Sequence, residues 1–281
     1  MDFGFLPATS RMIDSFSIVA QTTRFVPWSK PKNCRLVAIT VIGGGAAGQN
    51  GGRISLGVGA IGGRGGGSGA ITHGVWFASD LPDTIYIFVG SQTLVSATTT
   101  GLTSGGMIIR SGATGGEAAG STGEAPVTFS ECAFFGSALS FRSTGGVNGA
   151  LGGVITGSMG GTQAIGLHGV PILGGCGGGG VDVGGPDFAG GGVLASGPLQ
   201  AIQGGAAGGG AGTNGIALRP PLYPLLATGG TGGGSNFVAT GGRGGNGILG
   251  SGGGGGGGGD IAFPAAKGGS GGDGAIFIAC F

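Results

Sequence analysis

The stretch Val41-Ile-Gly-Gly-Gly-Ala-Ala-Gly-Gln-Asn-Gly-Gly52 decides how this chain is read. It continues the apolar run Cys34 to Thr40, whose β-branched residues read as a strand. Gly43, Gly45 and Gly48 have the G-x-G-x-x-G spacing of dinucleotide-binding turns. That turn works only when a helix follows, its first N–H groups facing the pyrophosphate. An acidic residue about 20 positions further on then holds the ribose. Here QNGGRISLGVGAIGGRGGG follows, with no helical period, and the first carboxylate after Gly43 is Asp80. The context fails twice. The strand is expected to run into more glycine chain, with no cofactor bound.

Glycine dominates the sequence around that stretch. It supplies 79 of 281 residues, against roughly 7% in ordinary proteins. Collagen is excluded, because glycine does not fall at every third position and proline numbers only 12. Disorder fits poorly, since AVILMFWYC makes up 40% of the chain and charged residues only 8%. So apolar and weakly charged a chain must be ordered, with much of its surface covered in an assembly.

Charge and cysteine usage narrow the function classes. Lys and Arg number 12 against 11 Asp and Glu, which gives no footprint for nucleic acid or an anionic membrane. The first residues lack a basic region followed by an apolar core, so no secretory signal is expected. No unbroken run of about 20 apolar residues suggests a membrane span. Cys34, Cys132, Cys176 and Cys280 are far apart, with no CxxC pair or zinc spacing, and reduced thiols are expected.

Strand-like runs alternate with glycine. Ser15 to Val26, Cys34 to Ile42, Thr84 to Val89, Met107 to Arg110, Pro126 to Phe129 and Ala275 to Phe281 read as strands. Glycine is dense over 43–69, 174–192, 204–215, 229–259 and 268–274. Helix signals are nearly absent. The segments 241–247 (GGRGGNG) and 268–274 (GGSGGDG) repeat as Gly-Gly-X. That period matches the polyproline II helix, with three residues per turn and no internal hydrogen bonds. The run Gly252 to Gly259 would span about 25 Å in this form. A linker joins two domains, whereas five glycine segments between strands suggest repeated passes through one layer. Ordering glycine costs about 0.5–1 kcal/mol per residue more than alanine. Dense hydrogen bonding between passes, nucleated by a β core, has to offset that cost.

The remaining motifs carry little chemistry. Gly268-Gly-Ser-Gly-Gly272 has the nucleophile-elbow spacing but is followed by a strand where a helix is required. His73 and His168 have no carboxylate or cysteine at ligand spacing, so no metal or catalytic site is expected. Arg64-Gly-Gly and Arg243-Gly-Gly are too sparse for an RNA-binding tail. The loop from Arg219 to Leu226, RPPLYPLL, is the candidate contact surface. Leu222, Tyr223, Leu225 and Leu226 would form an apolar patch stiffened by Pro220, Pro221 and Pro224, as a receptor-contacting or interface loop.

The segment opening Phe25-Val-Pro-Trp28-Ser-Lys30-Pro31 and running through Val37, Ile39 and Val41 into glycine resembles glycine-rich domains of tailed-phage tail-fibre tips and adhesins. LPDTIYIFVG (81–90) is similar to their second strand, and GGSGGDGAIFIACF (268–281) to their closing one. The resemblance covers both ends and one interior strand. It implies an all-β fold: a small sandwich-like nucleus of N- and C-terminal strands bearing stacked polyglycine II helices, with almost no α-helix. Residues 1–33 are expected as an attachment segment and 34–281 as the glycine-rich domain. The implied function is that of a non-enzymatic virion protein, at a tail or fibre tip, without the shaft of a long fibre. Its partners would be other virion proteins and a host receptor (a glycan or outer-membrane protein), with a homotrimer as the assembly. The competing reading is a secreted polyglycine or ice-binding protein. The mixed Arg, Asn, Ser and Asp at the X positions argue against a flat ice-binding face.

Overall fold

The computed structural model describes residues 14–19, 22, 24–54, 58–69, 71–89, 92–96, 107–112, 139–144, 146, 148–164, 172–195, 200–218 and 226–281. Strands β1 (Asp14–Ile18), β2 (Val26–Ser29), β3 (Leu36–Ile42), β4 (Ile71–Phe77), β5 (Thr84–Phe88), β6 (Gln92–Ser96), β7 (Met107–Gly112) and β8 (Ser140–Thr144) are followed by two-residue strands. These are β9 (Gln163–Ala164), β10 (Val193–Leu194), β11 (Ala217–Leu218) and β12 (Leu226–Ala227), before the closing β13 (Ala275–Cys280). The protein is all-β, and a single 3-10 turn, Ala78–Asp80, interrupts it among the described residues.

Two antiparallel sheets form the nucleus, one ordered β1-β13-β3-β4-β8 and the other β2-β5-β6-β7. The C-terminal β13 lies between β1 and β3, pairing Ile276 with Val41 and Ile278 with Ile39. The N- and C-terminal strands among the described residues are thus side by side, as expected. Alternation along β3 sends Val37, Ile39 and Val41 into one core with Ile276, Ile278 and Trp76. Trp28, Ile85 and Ile87 from the second sheet complete it. Each buried Val or Ile contributes about 1.5–3 kcal/mol of apolar burial.

Of the expected attachment segment 1–33, the described strands pair with the nucleus. β1 pairs along β13, β2 pairs along β5, and the Trp28 side chain sits in the shared core. The strand expected at Pro126 to Phe129 lies outside the described residues. β4 departs from a strand pattern in sequence because Gly74 interrupts it; the Trp76 ring lies where a Gly74 side chain would be.

The glycine segments leave the nucleus at the end of β3. Ile42 packs with Ile71, Ile172, Ala227, Leu249 and Ala275 in a second core at this junction. Passes then run outward over 43–54, 148–154, 172–181, 200–206, 228–236 and 251–260. They return over 58–69, 158–164, 185–195, 210–218, 240–247 and 264–274. The five glycine-dense windows undercount these passes, because several hairpin turns lie inside a window and 148–164 is less glycine-dense.

The run 251–259 is buried throughout and lies at the centre. Its amides at Gly252, Gly255 and Gly258 donate to the carbonyls of Leu173, Cys176 and Gly179. Those at Gly253, Gly256 and Gly259 donate to Ala46, Gln49 and Gly52, and those at Gly254, Gly257 and Asp260 to Gly245, Gly242 and Ala239. Its carbonyls accept in the same rotation from residues 63–66, 230–236 and 269–272. The partner changes at each residue and recurs at every third. A strand alternates between two directions, whereas a three-residue turn supplies three. The six segments can approach this closely only because side chains are missing: a Cβ at Gly255 would fall on the Gly63 carbonyl oxygen.

Candidate functional site

The Gly45 amide donates to the Gly272 carbonyl at 2.8 Å and the Gly48 amide to Gly269 at 2.9 Å. A Cβ at Gly45 would overlap the Ser251 carbonyl oxygen, and one at Gly48 that of Gly254. The spacing that mimics a nucleotide fingerprint therefore accommodates neighbouring backbone, and the amides a pyrophosphate would use are already paired.

The other motifs are also absorbed by the fold. The Ser270 amide donates to Asn246 Oδ1 at 3.0 Å, and the chain enters β13 a few residues later. His73 Nδ1 is 2.9 Å from Thr40 Oγ1 across the β3–β4 pair, and burial lowers its pKa from the ordinary histidine value. Arg243 donates to Asn246 Oδ1 at 3.2 Å. Lys30 donates from Nζ to the carbonyls of Ala78 (2.7 Å) and Leu81 (2.9 Å), fastening the 3-10 turn beside β2. His168 lies outside the described residues. Among the described residues no group of three His, Cys, Asp or Glu side chains is placed to hold a metal ion.

Of the expected contact loop, Leu222, Tyr223 and Leu225 lie outside the described residues. Leu226 is half-buried in β12, opposite Leu218, and its neighbour Ala227 belongs to the junction core with Ile42. Leu226 is thus at the nucleus end of the glycine stack.

A different surface gathers at the far end. Outward passes 43–54, 172–181, 228–236 and 251–260 are mutually parallel, so their ends meet. Bridges Arg53–Gly259, Asn236–Gly259 and Ala60–Val181 mark the meeting point. Beneath the turns a small core of Ile54, Ala60 and Val181, with Phe237 packed on it, fills the end of the stack. Above it Val58, Ile155, Val183, Val238, Ile261 and Phe263 are exposed, Val238 by 70% and Ile261 by 56%. None of these apolar side chains belongs to the small core beneath.

Short polar side chains fix the turns that present them. Asp182 Oδ1 accepts from the Val183 amide at 2.8 Å, Asn236 Oδ1 from Val238 at 3.0 Å and Asp260 Oδ1 from Ala262 at 2.7 Å. The last two are Asx turns, and such local bonds need no helix or sheet neighbour. Contacts between turns add stiffness: Asp187 Oδ1 accepts the Phe237 amide at 2.6 Å, and Asn236 Nδ2 donates to the Gly208 carbonyl at 3.0 Å. The sequence signal for this surface was present in the Asp-Val, Asn-Phe-Val and Asp-Ile-Ala-Phe turns. What hid it was that these turns, with Val58 and Ile155, are dispersed from residue 58 to residue 263. A scan against protein-family models and a search of curated proteins found no match to the chain.

Proposed function

We propose that this chain is a bacteriophage virion protein, placed at a tail or tail-fibre tip, that attaches to the host cell surface. The observation that carries the reading is the set of exposed aliphatic turns at the far end of the glycine stack. A rigid base with exposed apolar contacts at one end suits recognition better than catalysis, and loops of this kind commonly carry binding. The glycine passes, read here as polyglycine II helices on their three-residue bonding pattern, hold those turns away from the nucleus with little side-chain bulk.

The nucleus end is then the end that joins other virion proteins. The receptor is a glycan or an outer-membrane protein, and the assembly a homotrimer with no nucleic-acid partner. Ice binding is disfavoured by the placement of Thr228 and Thr231, which are fully buried and not spread over a flat exposed face.

Fluorescently labelled protein applied to a panel of bacterial strains tests the reading. Binding to a subset of strains is expected, with loss on Val238→Glu and Ile261→Glu and a trimer in sedimentation. Protease or periodate treatment of the cells separates protein from glycan receptors. Absence of binding across the panel, or binding indifferent to both substitutions, would overturn it.

A further inference from the structure

The two ends of the sandwich bring a pair of thiols together. Cys34 precedes β3, and Cys280 ends β13 opposite Val37. The Arg35 and Leu36 amides donate to the Phe281 carbonyl at 2.7 and 3.0 Å, and the Phe281 amide returns to Leu36 at 2.9 Å. These bonds hold the last residues against those after Cys34. The Cys34 side chain packs on the core cluster that contains Cys280. Its thiol donates to the Leu36 carbonyl at 3.3 Å, the same carbonyl that accepts the Phe281 amide next to Cys280. Cys34 is partly exposed and Cys280 is buried.

The geometry points to Cys34 and Cys280 as a redox pair that closes into a disulfide when the protein leaves a reducing compartment, stapling the two ends of the fold. The accessible Cys34 thiolate attacks a small-molecule disulfide such as oxidised glutathione, forming a mixed disulfide and releasing one thiolate. Cys280 then loses its proton and attacks the Cys34 sulfur, releasing the second thiolate. The protein loses two electrons and two protons, and one oxidant disulfide becomes two thiols. Burial, with smaller contributions from Cys34 and Asp14, pushes the Cys280 thiol up to about 12, so the second step is the slow one. The bond would close a loop spanning every glycine pass, the long-loop case in which a cross-link restricts the unfolded chain most. This is independent of what the far-end turns bind.

The test uses the reduced, purified full chain exposed to oxidised glutathione, then alkylated and mapped by mass spectrometry without reduction. A Cys34–Cys280 peptide pair is expected, with a melting temperature raised by about 5 °C or more and restored by dithiothreitol. Cys34→Ser should abolish both effects, and Cys176→Ser should keep both. The wild-type map decides even where a variant misfolds. Glutathione remaining on Cys34 with Cys280 alkylated, both thiols unreacted, pairing only in denaturant, or a link to Cys132 or Cys176 would each overturn the assignment.

Discussion

The Gly254 amide donates to the Gly245 carbonyl oxygen at 2.8 Å, and a Cβ at Gly254 would land on the carbonyl oxygen of Thr231. One residue is thereby held by one neighbouring pass and pressed against another. That relationship makes glycine at position 254 a packing requirement as well as a backbone preference.

Gly254→Ala is therefore expected to destabilise the fold by about 3 kcal/mol or more, since two passes must separate and adjoining hydrogen bonds break. Gly184 supplies the control. It has φ +69° at a far-end turn with nothing near its missing Cβ, so alanine there adds only backbone strain of about 1 kcal/mol. Urea unfolding of both variants measures the contrast. Equal losses would show that the stack tolerates side chains at its centre.

Lys30 tests the nucleus. Lys30→Met leaves the Ala78 and Leu81 carbonyls without their donor and should cost about 1–3 kcal/mol. Asp83 pairs with Lys30 at 3.2 Å, yet its side chain is 98% exposed, so Asp83→Asn should leave the melting temperature unchanged. If Asp83→Asn proved the more damaging change, the ion pair and not the carbonyl bonds would be holding the turn.

His73 gives a pH dependence with a definite sign. Burial lowers its folded pKa below the ordinary 6.5, so the unfolded chain binds the proton more readily than the folded one. The contribution is fully present above the unfolded pKa and is lost as pH falls through 6.5 toward the folded value. Denaturation midpoints recorded between pH 5 and 8 should rise with pH, and His73→Gln should flatten that part of the curve.

The far-end turns predict a separation of binding from stability. Phe263→Glu changes an exposed side chain, so its effect on unfolding should stay within about 0.5 kcal/mol. Cell binding by the same variant should fall by about tenfold or more, the scale on which an apolar anchor contributes to recognition. A comparable substitution at Leu226, on the nucleus side, should leave cell binding intact.

The sandwich strands were largely legible. β3, β5, β7 and β13 coincide with expected runs because alternating or continuous β-branched residues mark them locally. β4 was not legible, because Gly74 interrupts its pattern and its reason lies in the Trp76 ring folded over it. The far-end surface was not legible for a related cause. The Pro-rich 219–226 loop stands out locally, whereas Val58, Val183, Val238 and Ile261 become a surface only when parallel passes align their ends.

By itself, the sequence determined an all-β fold in which glycine is structural, with the Gly43–Gly48 segment running on into more glycine. These conclusions rest on composition, period and local context, which the order of residues carries directly. Tertiary structure alone decided which passes are neighbours, that 251–259 is the central one, that β1 and β2 belong to the sandwich, and that Cys34 packs on the core that holds Cys280. The physical reason is that glycine segments carry almost no side-chain code. Their partners are chosen by backbone hydrogen bonds that any glycine could make, and the strands at each end of the chain fix which ones form.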